Sequence, residues 1–514
     1  MDFGKLFQLK SMEDYLGLFL LGLGVLLAIV ALVGLVLAAI RRQRKANIVG
    51  LLVVAILGGG MAGFAAYIRM NSPFVPNRSF AALGPMAPPA PPPADESDSV
   101  ELMALKSASL GSASQPAVLG WNQWRGPGRD GVAIADKVHD QLDHLSREAI
   151  WKVPVKSGYS SFALSDGCLY TMEMSGPGTE SVLCLDASTG KEIWRYTYQG
   201  PDPGSYPGPR ATPAICDGRV YTVGAAGTLL CLPAKPDGKP EPFWQHRLPS
   251  EFAADIPGWG IACSPLVEGN LLIVQPGGRK GSVVAFDRVT GKPAWTALDD
   301  PNGYSSPVAA TIASVRQIVC VTGHAAVGVK ADDGTKLWSY PWPTQYDANI
   351  ATPIVAGDYV FISAGYSHGC ALLHIQKSAG EMKATAVYVK SNKLMRNHHN
   401  TSVFKDGYLY GIDQSGALRC IDLRTGEMKW ESKDRVQGCP ILADGRLIIL
   451  AEDGTVDIVE ATPKEYKRTA RVKDLLHGGA SPCWVLPALN DGRLYFRDAS
   501  QIVCIDLKKK KPGM

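Results

Sequence analysis

The sequence predicts an all-β fold: an eight-bladed β-propeller of four-stranded blades, preceded by a two-helix transmembrane hairpin and a disordered linker. Three observations predict it. Short alternating strands recur around Asp-Gly turns with a period of roughly forty to fifty residues, the spacing of propeller blades. A second turn motif, ending in tryptophan, recurs at the same period. Two uncharged runs near the N-terminus flank a basic cluster.

The elements follow in order. After a tail, 1–14, residues 15–40 form 26 positions without a charge, enough to cross a hydrocarbon core of roughly 30 Å as a helix. "RRQRK" occupies 41–45, and a second uncharged run follows over 46–68, with a small-residue centre, "GGGMAGFAA", suited to close helix packing in lipid. Dense positive charge in the loop places it in the cytoplasm and both termini outside. Everything beyond Arg69 is then extracytoplasmic, at the inner membrane of a bacterium. The 69–120 linker is rich in Pro, Ala and Ser and holds too little apolar area to offset its ordering entropy.

"WNQWRGPGRDGVA" (121–133) stands between linker and repeats. It lacks the Lys-Ser/Thr and the following helix of a phosphate cradle. Its role is therefore architectural, with Trp121 and Trp124 covering apolar surface and Gly126 to Gly131 turning the chain.

The repeats fill 121–509, ahead of a 510–514 tail. One sub-motif is the hairpin of "SDGCLYTM", "CDGRVYTV", "KDGYLYGI", "ADGRLIIL" and "NDGRLYFR". The other is "CLDASTGKEIW", with Asp186, Gly190 and Trp194, repeated as Asp287, Gly291, Trp295 and as Asp422, Gly426, Trp430, and less completely as Gly334, Trp338. Gly serves the turn, Asp accepts backbone N–H bonds there, and Trp wedges against a neighbouring sheet. Eight units result, at about 159–198, 208–248, 260–298, 303–342, 349–390, 397–433, 438–475 and 478–508. The fourth lacks its Asp-Gly turn; the second, fifth and seventh have degenerate Trp motifs. The last unit lacks a Trp strand, and "EAIWKVPV" (148–155) supplies it, closing the ring between the chain's two ends.

These motifs resemble the tryptophan-docking repeats of the pyrroloquinoline-quinone-like (PQQ-like) propellers, and the 121–133 stretch resembles an opening common among their bacterial members. The family holds quinoprotein dehydrogenases and non-catalytic scaffolds of the BamB type, so the resemblance implies fold but not activity. The dehydrogenases imply a calcium-bound PQQ, an acidic base and, in the soluble alcohol enzymes, an adjacent-cysteine ring. No Cys-Cys or Cys-x-x-Cys occurs among the eleven cysteines, which read instead as buried free thiols at equivalent strand positions.

A ligand site is expected where segments lead into the innermost strands. Those segments carry Arg210, Trp259, Tyr304, Asn349, His398, His399, Asn400, Arg435 and His477 toward one rim. Adjacent histidines in extended chain point opposite ways, so His398 and His399 share a ligand only if the loop bends. No catalytic residue and no metal ligand is assigned. A net charge of +4 gives no field for nucleic acid. The expected function is a membrane-anchored binding scaffold for a protein or envelope partner, without cofactor. The alternative is a PQQ- and calcium-dependent membrane dehydrogenase acting on a sugar or alcohol.

Overall fold

Asp-Gly and Asp-x-x-Thr-Gly turns reverse the chain every few residues, and the result is a ring of eight antiparallel sheets. The computed structural model describes residues 120–133, 148–200, 206–391, 394–435, 437–476 and 482–507. The helical hairpin, basic loop, linker and C-terminal tail expected from the sequence lie outside the described residues. No helix among the described residues is long and apolar enough to cross a membrane.

Blades 1 to 8 span 163–199, 214–247, 266–297, 308–341, 354–391, 403–431, 438–472 and 488–506. Within each, four strands run from the axis outward in chain order, except in blade 8. There Trp151–Pro154 supplies the outermost strand, antiparallel to Gln501–Asp506 with Trp151 opposite Cys504. Arg497, fully buried at this seam, donates from blade 8 to Met172 O and Lys156 O.

The first hairpins show why Asp-Gly recurs. Asp166, Asp217, Asp406, Asp444 and Asp491 all take left-handed backbone, as do the glycines that follow them. Two such residues in succession match the twist of a tight hairpin, and Asp tolerates that conformation better than most side chains. Blade 4 makes the same turn from Ala313 and Ser314, at φ of 48° and 63°. Asp358 of blade 5 accepts the Ala313 N–H at 2.6 Å.

The second motif joins the blades. Asp186 Oδ1 accepts the Ser188 and Thr189 N–H groups, and Asp287 and Asp422 act likewise. A bulge beside each docking residue, as between Cys184 and Leu185, turns the aromatic toward the next blade. Trp194, Trp295 and Trp430 donate Nε1–H to Ala234 O, Ala331 O and Thr462 O, and the seam residue Trp151 donates to Ala187 O. The turn glycines lie flat beneath these rings. A Cβ on Gly190 would sit 2.7 Å from Trp151, and one on Gly334 2.6 Å from Trp295.

Two motifs that look degenerate in sequence are complete in space. Trp244 docks over Gly291, and Tyr388 takes the position in blade 5, donating to Leu423 O. In blade 7 the equivalent residue is Ala470, opposite Ile458 at the bulge. Trp338 departs from the pattern and donates to Gln317 of its own blade, because strand Gly369–Ser378 of blade 5 runs on without the turn that offers a carbonyl elsewhere. The eleven cysteines are free thiols, ten buried and Cys216 half-buried.

Candidate functional site

The axis of the ring is filled by the chain itself. Trp121 N–H donates to Asn490 of blade 8, and Trp121 O accepts from Leu164 of blade 1. Asn122 pairs with Ile215 of blade 2, and Val132–Ala133 runs parallel to the innermost strand of blade 7. Between these anchors the loop reaches up to residues that lead into the inner strands. Arg129 donates to Ser264 O and Pro265 O, Trp124 to Thr352, and Arg125 to Thr401 O and Ser402 O. A thirteen-residue segment that touches the inner strands or lead-ins of blades 1, 2, 3, 5, 6, 7 and 8 must lie on the axis. It enters and leaves on the face of the Asp-Gly turns and forms the floor of the opposite mouth.

Arg125 and Arg129 are buried, in left-handed backbone, with their guanidiniums bonded to carbonyls. Burial pushes both pKa values down to about 10, which leaves them charged at neutral pH. The sequence placed this stretch between linker and first repeat; its arginines fix it in the channel through carbonyls that lead into blades 3 and 6.

Above the floor, the lead-in segments raise a collar of rings. Trp259 lies 5.4 Å from Tyr304, 6.1 Å from Tyr346 and 6.1 Å from Tyr366. Tyr366 meets His398 edge-on at 4.8 Å, His398 and His399 are 3.9 Å apart, and His399 stacks on Trp484 at 4.4 Å. Trp484 then contacts Tyr159 at 5.7 Å and Tyr206 at 5.1 Å, and Arg210 lies over Tyr159. Rings from blades 1, 2, 3, 4, 5, 6 and 8 thus line one mouth. Tyr206 and Tyr346 are 46% and 59% exposed, which leaves their faces open to a partner.

Three collar tyrosines, Tyr206, Tyr346 and Tyr366, have φ of 64°, 63° and 50°. Bulky side chains avoid this region, at a cost of about 1–2 kcal/mol each. Such strain persists where the surroundings impose it, and it gathers at binding and catalytic sites.

Burial holds the histidines at the mouth uncharged. Burial, then the neighbouring His398, pushes His399 down to about 3; burial also lowers His398 and His368. Burial lifts the Tyr304 hydroxyl to about 12.

The residues singled out in the sequence separate into groups. Arg210, Trp259, Tyr304, His398 and His399 stand together in the collar. The histidine loop is bent rather than extended, so both rings face one side. Asn349 and Asn400 are buried in the wall, where their amides donate to Thr322 O, Trp342 O and Ile412 O. Arg435 is exposed and paired with Glu431 of the outermost strand of blade 6. His477 lies outside the described residues. Sequence reasoning missed Tyr159, Tyr346, Tyr366 and Trp484. Most of these leave a signal: in seven of the eight blades an aromatic or histidine outside any strand stands four to eight residues before the first strand. Tyr366 has none, because it comes from a second-to-third strand turn.

The family profile described as outer membrane protein assembly factor BamB matches residues 136–235 and 179–432. The chain belongs to the PQQ-like propeller family. Among curated relatives, BamB of Shewanella oneidensis is 23% identical over 232 residues, which cover 44% of this chain and 57% of that protein. The quinoprotein alcohol dehydrogenase PedH of Pseudomonas putida is 28% identical over 29% of this chain and 25% of its own length. The chain therefore matches only part of each relative. Among solved structures, BamB of Moraxella catarrhalis superposes with a TM-score of 0.51 at 15% identity, over 70% of this chain and 99% of that one. The quinohemoprotein alcohol dehydrogenase of Comamonas testosteroni gives 0.54 at 13%, over 81% and 85%. These likenesses concern the fold.

The dehydrogenase branch of the PQQ-like family raises the question of a calcium–quinone pair. Among the described residues no three His, Cys, Asp or Glu side chains gather as a metal site. Glu452, the carboxylate beside His398, accepts the Trp484 indole N–H. A hard cation needs several converging oxygens. The described mouth residues do not fit that pair, and we derive no step through it.

Proposed function

We propose that this PQQ-like propeller is a membrane-tethered, extracytoplasmic scaffold that binds a protein partner through the aromatic collar and carries out no chemistry of its own. The observation that carries this reading is the set of strained tyrosines Tyr206, Tyr346 and Tyr366, the first two exposed and the third half-buried. Tyrosine and tryptophan dominate the binding energy of protein interfaces, because they offer large rigid area with few rotamers to freeze. The floor formed by Trp121–Ala133 makes the mouth a rigid bowl rather than a passage. The tether rests on the uncharged runs 15–40 and 46–68 and on the basic loop between them. BamB relatives, named as an outer membrane protein assembly factor, support a protein as the partner.

The test is capture of envelope proteins by the detergent-solubilised chain, compared between wild type and Trp484→Ala. Loss of a captured protein by a variant that still unfolds cooperatively supports the collar as the binding surface. Reconstitution with PQQ and calcium is the counter-test. A bound-quinone absorbance with dye-linked oxidation of sugars or alcohols would replace the scaffold reading with the dehydrogenase one.

A further inference from the structure

Residues 85–93 of the linker read "PMAPPAPPP": six prolines, two alanines and a methionine, without a charge. Such a composition predicts polyproline II, with three residues per turn and about 3.1 Å per residue. At that period Pro85, Pro88 and Pro91 share one edge, about 9 Å apart, and the whole run is about 28 Å long. Segments of this kind are recognised by rigid aromatic surfaces, because little conformational freedom is left to lose on binding.

The collar offers a surface of that kind and length. Six rings run in series from Tyr206 through Trp484, His399, His398 and Tyr366 to Tyr346, with centroid steps of 5.1, 4.4, 3.9, 4.8 and 5.6 Å. The strip is therefore at most about 24 Å from end to end, close to the length of the run. Two ring steps cover about 9 Å, so each proline of the edge meets every second ring. Tyr206 and Tyr346 are exposed and the four rings between them half-buried, so all six present surface. Burial keeps both histidines uncharged, which suits an uncharged ligand. A polyproline II backbone has no internal hydrogen bonds, and the hydroxyls of the exposed tyrosines can donate to its carbonyls.

Reach decides which copy supplies the run. Residues 94–119, 26 in all, separate it from Gly120, where the chain enters the axis on the turn face. A flexible tether of that length spans about 28 Å on average. The route from the axis around a four-stranded blade to the opposite mouth is roughly 60 Å, with strands about 4.8 Å apart and 20–30 Å long. A chain reaches its own collar only with the tether drawn out to about twice its mean span. A neighbour's run carries no such constraint, and two chains held by the proposed membrane hairpin meet at high local concentration.

We propose that the collar strip from Tyr206 to Tyr346 binds residues 85–93 of a second copy of this chain. Mutual exchange of the two runs closes a dimer. This inference rests on the proposed binding role of the collar.

The test uses the full-length chain in detergent, with sedimentation as the readout and a fluorescent peptide of residues 84–94 as the probe. A linker variant combines Pro85→Ser, Pro88→Ser and Pro91→Ser, which breaks the proline edge. Wild type should self-associate as concentration rises, and excess unlabelled peptide should return it to monomer. The linker variant and Tyr346→Ala should each stay monomeric alone yet associate when mixed, because one supplies the collar and the other the run. The peptide should bind the linker variant roughly ten-fold more tightly than it binds Tyr346→Ala or Trp484→Ala. Phe243→Ala on the outer rim should behave as wild type. Tyr346 is exposed, so its variant keeps the experiment interpretable if Trp484→Ala fails to fold. No association in the mixture, or peptide binding retained in Tyr346→Ala, would overturn the proposal. Peptide binding by the linker variant with a monomeric wild type would overturn the second copy as the source. If the peptide does not bind while Trp484→Ala still loses its partner in the capture assay, the self-recognition fails and the scaffold reading stands. If self-association behaves as described but no collar variant alters capture of an envelope protein, the scaffold reading fails instead.

Discussion

The two ends of the channel use the same backbone conformation for opposite purposes. On the turn face, left-handed residues are Asp followed by Gly in five blades, Asp166-Gly167, Asp217-Gly218, Asp406-Gly407, Asp444-Gly445 and Asp491-Gly492, and Ala313-Ser314 in blade 4. That chemistry reduces the strain of a tight hairpin. At the mouth the left-handed residues include Tyr206, Tyr346 and Tyr366, for which the conformation is costly. One end is optimised for folding, while the other holds large rings outward against local preference. The floor lies between, with Arg125 and Arg129 also left-handed but fixed by carbonyls from several blades. Strain at the floor is bonded and buried and belongs to architecture, whereas strain at the mouth is assigned to recognition under the proposed function.

That contrast can be broken by substitution. The largest effect is predicted at the floor. Arg125→Ala orphans the carbonyls of Thr401, Ser402, Arg129 and Asp130, and should destabilise the ring by about 3–5 kcal/mol, read as a lower urea midpoint. Next is a blade junction: Gly334→Ala adds a Cβ against Trp295 at φ of 75° and should cost about 2–4 kcal/mol by the same measurement.

A third effect depends on pH. His399 is held neutral when folded, with its pKa pushed down to about 3 from the ordinary 6.5. Below pH 6.5 the unfolded chain takes up a proton that the folded collar refuses, so this contribution to stability is lost as pH falls toward 3. His399→Phe should therefore flatten the acid limb of the stability profile and leave neutral pH little changed.

The smallest effects should be gains. Tyr346→Asn relieves the left-handed strain and should stabilise by about 0.5–1 kcal/mol while weakening partner capture. Replacing Ala313-Ser314 by Asn-Gly on the turn face should stabilise by a similar 0.5–1 kcal/mol, roughly, with no effect on capture. The pair separates strain that serves binding from strain that does not.

Blade architecture was legible in the sequence because its determinants are local. Asp-Gly fixes a hairpin, Thr-Gly-x-x-x-Trp fixes a docking strand, and the stray Trp151 strand announces closure at Cys504. Trp244 and Tyr388 escaped because their turns are longer: Gly238 stands six positions before Trp244 and Gly380 eight before Tyr388, instead of four. The floor escaped for another reason: Arg125 bonds to residues more than 270 positions away, a distance no motif encodes. At the mouth, the lead-in segments pointed to Trp259, Tyr304 and His398. Asn349 and Asn400 carry the same polar look, yet their amides close the backbone of the wall. Residue type alone does not separate a group that lines a bowl from one that builds it.

Quantitative partner capture by three matched proteins asks whether the aromatic collar is the binding surface. Wild type, Trp484→Ala in the collar and Phe243→Ala on the outer rim should all unfold cooperatively, with Trp484→Ala at a lower temperature because it loses its ring contacts and its bond to Glu452. Only Trp484→Ala should lose the captured partner. Equal capture by all three, or loss only in Phe243→Ala, would contradict that role for the collar.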